Sequence, residues 1–275
     1  AEWNLTLYDP HVNMLRGTTE AMSAILGGAD SITVRPYDHP YGQSSEFSDR
    51  IARNAQIILK EEAYFNKVID PAAGSYYVES LTDSMTREAW DLFQSLEEEG
   101  GYAKAFLAGS VKKRIHTARD ERMKRIARRR QSILGTNQYP NFSEMILDKL
   151  SDIPSGDTEA QETNAQETDA QETDAPVLRS FRAAAPFEKL RLEIEQSGKR
   201  PKVYMLKYGS PAWMTARAMF SGNFFASAGY EIIDPPGVKD IDKGIQGAEK
   251  AGADVVVICS SDDQYPEIAP EFYPA

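Results

Sequence analysis

The sequence predicts an α/β fold in two parts joined by an acidic linker, and three observations carry that prediction. Towards the C-terminus, the apolar runs "KVYMLKY", "YEIIDPP" and "DVVVICSS" alternate with amphipathic stretches over 212–228 and 239–251, a βαβαβ order. In the first half, a helix–strand–helix series reads as the last α/β units of a parallel barrel or of a doubly wound sheet. Between the halves, "AQETNAQETDAQETD" from Ala160 to Asp174 repeats a five-residue unit with almost nothing apolar to bury.

Each element follows from local signals. Asp9-Pro10 before "HVNMLRGTTEAMSAILGG" predicts a helix start, with Leu15, Thr18, Met22, Ile25 and Leu26 on one face and Gly27-Gly28 as the stop. "DSITV" reads as a short strand, followed by the loop "RPYDHPYGQSSEF". The next helix is expected from about Ser48 to Ala63, with Ile51, Ala55, Ile58 and Leu59 inward. Ser80 and Asp83 suggest a capping box for a helix striped by Met85, Ala89, Leu92, Phe93 and Leu96. A further helix is expected over roughly 110–134, with ten Lys or Arg between Lys112 and Arg130 against Asp120 and Glu121. One strand cannot close a barrel and there is no initiating Met, so the chain reads as a fragment of something longer.

Charge and composition exclude several classes. The net charge of −11 is concentrated in residues 151–175, which hold eight acids and no Lys or Arg, leaving −3 for the remainder. That segment is expected to be a disordered, self-repelling spacer, a reading preferred to a functional acidic tail. No apolar run approaches a membrane span, and no signal-peptide pattern is present. A single cysteine, Cys259, lies within a strand-like run, so no intrachain disulfide forms and a buried apolar role is expected. Together these favour a reducing, cytoplasmic setting. The basic helix invites a nucleic-acid reading, but no zinc-finger spacing or aromatic-interleaved motif accompanies it, and a solvated or partner-facing helix is preferred.

The first strand-to-helix turn of the C-terminal part is where open α/β sheets place a ligand. Here it offers Gly209, Ser210, Pro211, Ala212, Trp213 and Met214, with no histidine, no acid and no glycine-rich run. The three histidines show no metal-site spacing. His11 is expected in a first helical turn, facing solvent or capping, and His116 on the surface of the basic helix. His39 lies on a loop where barrel sites occur.

The segments "LYDPHVNMLRGTTEAMSAILGGADSITVRP", "FSDRIARNAQIILKEEAYFNKVIDPAAGSYYVESLT" and "RPKVYMLKYGS" resemble the methylmalonyl-CoA mutase family, on the small-subunit side of its heterodimeric bacterial members. The resemblance covers nearly all of the chain outside the acidic repeat, and "DPAAGSYYVE" after "RIARNAQIILKEE" is its most specific part. It implies the C-terminal end of a (β/α)8 barrel with extra helices over 1–150, the linker over 151–185, and a truncated flavodoxin-like, cobalamin-binding-type domain over 186–275. It also implies a radical rearrangement, started by adenosylcobalamin, that interconverts methylmalonyl-CoA and succinyl-CoA. The family's catalytic chains hold cobalt through the histidine of a D-x-H-x-x-G loop. On that loop this chain has Pro211 in place of the aspartate and Trp213 in place of the histidine. An indole nitrogen only donates, so it cannot replace an imidazole ligand.

Two further departures accompany that one. Ser260-Ser261-Asp262 replaces a Ser-Ser-Leu run beside the cofactor's tail, putting a carboxylate where an apolar group would lie. Arg35 and His39 stand where the catalytic barrel has Asn and Glu. The expectation is therefore no catalytic residue, no metal site, and a degenerate cofactor loop at Gly209, Ser210, Pro211, Trp213, Ser260, Ser261 and Asp262. Adenosylcobalamin and the acyl-CoA substrate are expected on a large catalytic partner in a heterodimer, with this chain as scaffold and no nucleic acid or membrane involved. The competing expectations are a self-sufficient cobalamin-dependent acyl-CoA mutase and a nucleic-acid-binding protein using residues 112–130.

Overall fold

The computed structural model describes residues 2–42, 44–151, 178 and 180–272. Of the linker expected over 151–185, only 151, 178 and 180–185 lie among the described residues, and there Ala183 and Ala184 are buried. The described residues form two compact units, and the segments Thr6–Asp9 and 132–151 cluster with 184–272.

In the first unit, α1 (Val12–Leu26) packs beside α2 (Glu46–Glu61). The N-cap of α1 is His11, which makes no side-chain bond, so the capping expected of Asp9 does not occur. Asn13 holds the start of α1 instead, its amide donating to the Tyr37 carbonyl at 2.9 Å. Helix α2 begins at a reciprocal Ser45–Ser48 capping box. It buries Ala52 and Leu59, whereas Ile58, expected inward, is 47% exposed. Residues 31–36 form no strand, contrary to the reading of "DSITV". A strand exists through its ladder, and no neighbouring strand in this unit supplies one among the described residues.

Three more helices follow: α3 (Tyr76–Glu98), α4 (Tyr102–Leu107) and α5 (Ser110–Ala127). The Ser80–Asp83 box expected at the start of α3 lies inside it. Glu79 reaches back to accept the Gly74 N–H at 3.2 Å, which starts the helix a turn earlier, and Asp83 pairs with Arg87 at 2.7 Å. No residue of α3 is buried, and Tyr77, Leu81, Met85, Leu92 and Phe93 stay exposed along it. Helix α5 ends at Ala127, seven residues before the expected limit.

The second unit is an α/β layer around a parallel sheet of β1 (Lys202–Lys207), β2 (Glu231–Ile233) and β3 (Val255–Cys259), in the order β2-β1-β3. Tyr204 of β1 faces Ile233 on one side and Val256 on the other. The two-residue period sends Val203 and Met205 to one face, with Ala218 of α8 (Pro211–Ser227). Tyr204 and Leu206 go to the other face, with Ala248 of α9 (Ile241–Ala251). Helix α9 approaches closely through glycine: a Cβ at Gly247 would stand 2.4 Å from the Tyr204 hydroxyl.

Helices α6 (Leu147–Ser151) and α7 (Ala185–Gln196) complete the unit, with α10 (Tyr265–Phe272) after β3. Helix α7 carries a buried polar clasp. Glu188 accepts the Leu7 N–H at 2.7 Å, and Glu195 accepts the Tyr8 hydroxyl at 2.7 Å and the Ile146 and Leu147 N–H groups at 2.9 and 3.0 Å. Arg191 stacks over the Tyr8 ring at 3.6 Å and donates to the Asn141 and Glu144 carbonyls at 3.1 Å. Burial, then the bond to Glu195, pushes the Tyr8 phenol well above its ordinary range.

Burial likewise pushes the Cys259 thiol from 9.0 up to about 11. Both groups ionise in the unfolded chain at a lower pH than in the folded one. Their stabilisation is therefore full below the unfolded values and lost as pH rises through the folded ones. Stability should fall from about pH 9 upwards, by about 1.4 kcal/mol per pH unit for each ionising group. Thermal midpoints between pH 8 and 11 check this, and the decline should be shallower for a Tyr8→Phe, Cys259→Ser variant than for the parent.

Candidate functional site

The ends of β1 and β3 are where an open sheet of this topology places a ligand, because the order β2-β1-β3 reverses direction between them. The Tyr208 N–H donates to the Cys259 carbonyl at 3.1 Å, holding the two strand ends together. Beyond them stand two lips, Gly209-Ser210 before α8 and Ser260-Ser261-Asp262 before α10. The structure thus brings together the loop residues that the sequence singled out.

Pro211 occupies the first turn of α8, where its missing N–H costs nothing, and Ser210 is the N-cap without a side-chain bond. Two residues after Pro211 in that turn, Trp213 is 53% exposed, with the Arg217 guanidinium 5.9 Å from its ring centroid. Arg217 also pairs with Asp262 at 2.6 Å. Asp262 is thus not the unpaired carboxylate that the sequence suggests: it has a cationic partner, and its side chain is 80% exposed, so it escapes the desolvation cost. Between the lips lies Gln264, which the sequence reading did not single out. Its Oε1 accepts the Ser260 and Ser261 hydroxyls at 2.8 and 2.9 Å. Cys259 beneath is fully buried and its thiol held high, a poor nucleophile.

The other candidates lie in the first unit. Arg35 contacts Glu2 at 2.5 Å and the His39 Nε2 at 2.8 Å, so His39 is engaged by its neighbours. His11 is exposed, its ring 5.3 Å from that of Tyr37, and His116 is half-buried on α5. Along the basic helix, Arg122 lies 4.2 Å from the Trp3 ring, Arg119 5.6 Å from the Phe181 ring, and Arg114 pairs with Glu99 at 2.9 Å. Arg114, Arg119 and Arg122 are thus engaged within the unit itself. Among the described residues, no group of three His, Cys, Asp or Glu could hold a metal, and no helix is long and apolar enough to cross a membrane.

Comparisons with known proteins place this geometry in context. The family model for methylmalonyl-CoA mutase matches residues 1–195. The chain is similar to the methylmalonyl-CoA mutase small subunit of Porphyromonas gingivalis, 48% identical over 98% of this chain and 42% of that protein. It is 37% identical to the methylmalonyl-CoA mutase small subunit of Streptomyces virginiae, over 96% of this chain and 41% of that one. The methylmalonyl-CoA mutase of Escherichia coli is 43% identical over 50% of this chain and 19% of its own length. The chain spans about two-fifths of the length of the curated small subunits it matches.

Proposed function

The chain belongs to the methylmalonyl-CoA mutase family, and on that premise we propose that it is part of a non-catalytic, scaffolding subunit of a cobalamin-dependent mutase. In this reading a cytoplasmic heterodimer interconverts methylmalonyl-CoA and succinyl-CoA. A large catalytic subunit holds the adenosylcobalamin, which supplies the radical chemistry, and the acyl-CoA. The first unit is read as the end of a (β/α)8 barrel with extra helices, and 186–275 as the first part of a flavodoxin-like domain beyond the linker over 151–185. The strand order β2-β1-β3 supports the second assignment.

The observation that carries the non-catalytic role is the first turn after β1. A cobalt-holding loop needs an imidazole oriented by a carboxylate. This turn presents Pro211 and Trp213, and all three histidines of the chain lie between positions 11 and 116, outside the sheet unit. The Arg217–Asp262 pair adds charge at the rim, and Gln264 lies between the lips. These residues do not fit a corrinoid with an axial histidine. The apolar residues left exposed along α3 support a role in contacting other protein.

Titrating the purified chain with hydroxocobalamin should therefore leave the visible spectrum unshifted. A micromolar dissociation constant with a histidine-ligated spectrum would overturn the proposal. Rebuilding the family loop with Pro211→Asp, Trp213→His and Ala216→Gly should still give no tight binding, because Asp262 and Gln264 remain and one ligand rarely makes a site. Strong base-off binding by that triple variant would trace the loss to the loop alone. Co-purification from cells should return the large mutase subunit, identified by mass.

A further inference from the structure

We propose that Gln264 is an intramolecular plug, its carboxamide occupying the crevice between the ends of β1 and β3 and shutting it to other carboxamide ligands. The inference rests on the sheet topology and the contacts around Gln264, not on the assignment to a mutase. An open α/β sheet leaves a crevice where strand order reverses, and here that point lies between β1 and β3. What fills it is a side chain of the same molecule.

Three features fit the amide to its place. Ser260 and Ser261 are buried, so their hydroxyls need an acceptor, and both reach the one oxygen of Gln264, with the Asp263 carboxylate a second partner for Ser261. On the opposite lip, Gly209 has a φ of +90°, and a Cβ there would stand 2.0 Å from the Gln264 oxygen and 2.8 Å from its Cδ and Nε2. The amide therefore lies against a position that only glycine can fill. Tyr265 fixes the approach: its hydroxyl accepts the Ser260 N–H at 3.2 Å and donates to the Ile258 carbonyl at 3.3 Å. The Gln264 N–H adds a bond to the Ser261 carbonyl at 3.1 Å. Two hydroxyl donors aimed at one oxygen, with a flat group against a glycine, describe a site for a planar carbonyl acceptor. Gln264 fills it in cis with its own carboxamide.

The test uses the full chain labelled with nitrogen-15 and propanamide as the probe. Gln264→Ala should show saturable shifts at the amides of Gly209, Ser260 and Ser261, with a dissociation constant in roughly the millimolar range expected of so small a ligand. The parent should show none, or binding at least about tenfold weaker. Equal binding by parent and variant would overturn the plug, because the crevice would then be open. Absence of binding in the variant would overturn it too, because Gln264 would not be what closes the crevice. Should Gln264→Ala fail to fold, Gln264→Asn carries the same test, since it withdraws the amide by one carbon. A second readout is coupling. Gly209→Ala should lower the thermal midpoint by about 5 °C or more in the parent and by less beside Gln264→Ala, where only the backbone cost of the positive φ remains. Strictly additive shifts would contradict the contact on which the proposal stands.

Discussion

Arg191→Met should lower the unfolding free energy by about 3–5 kcal/mol, the usual cost of deleting one partner from a buried charged cluster. Arg191 is only 3% exposed, and burial draws its guanidinium below the ordinary range. It persists there because its surroundings are built for a cation: the Tyr8 ring beneath it, two carbonyls at its tip, and the nearby carboxylates of Glu144 and Glu195. Methionine fills much of the volume and supplies none of the donors. The Asn141 and Glu144 carbonyls would lose their bonds in a buried setting. Arg191→Lys should fall between the two, since it keeps the charge but loses the planar fork and the stacking. Urea unfolding checks this, with the midpoint expected to drop at an unchanged slope.

Met205→Ala is expected to cost about 2–5 kcal/mol, through lost burial and the cavity left behind. Met205 is fully buried at the centre of β1, packed with Val203, Ala218 and Cys259 beneath α8. The strand is flanked on both sides by β2 and β3, so little can collapse into the gap. Met205→Leu conserves the volume and should cost under about 1.5 kcal/mol. A similar loss for both substitutions would mean that the packing under α8 is looser than these contacts require.

The elements most legible in the sequence were those whose signals are local. The strands around Val203, Ile232 and Val257 sit in apolar runs, with β1 buried on both faces, and α8 and α9 fall within two residues of their expected limits. Asp240, whose side chain accepts the Asp242 N–H at 3.1 Å, marks the start of α9. Errors arose where a tertiary partner decides. "DSITV" has strand composition, but a strand needs a neighbour, and the first unit offers none among the described residues. Helix α3 begins early because Glu79 reaches back to Gly74, a contact that competes with the Ser80–Asp83 pattern.

The candidate site was half legible. Its lips could be read because Gly209 and Ser260-Ser261 each follow an apolar strand, and topology places such loops side by side. Gln264 could not be read. Nothing in "SSDDQYPE" marks a glutamine as facing inward, and its role depends on the Gly209 backbone from across the sheet. The clasp of α7 was equally hidden. Pro186 signals a helix start, but Glu188, Arg191 and Glu195 look like solvated charges until their partners at Leu7, Tyr8 and Ile146 are known.

That clasp also sets a clock. Leu7 and Glu188 are separated by 181 positions, yet they share a buried hydrogen bond. At ribosomal rates of about 5–20 residues per second, Thr6–Asp9 leave the ribosome roughly 10–35 s before α7 exists to receive them. Through that interval the Leu7 amide and the Tyr8 hydroxyl have only water or transient partners. The sheet unit can therefore close only around a segment made some 180 residues before the helix that holds it.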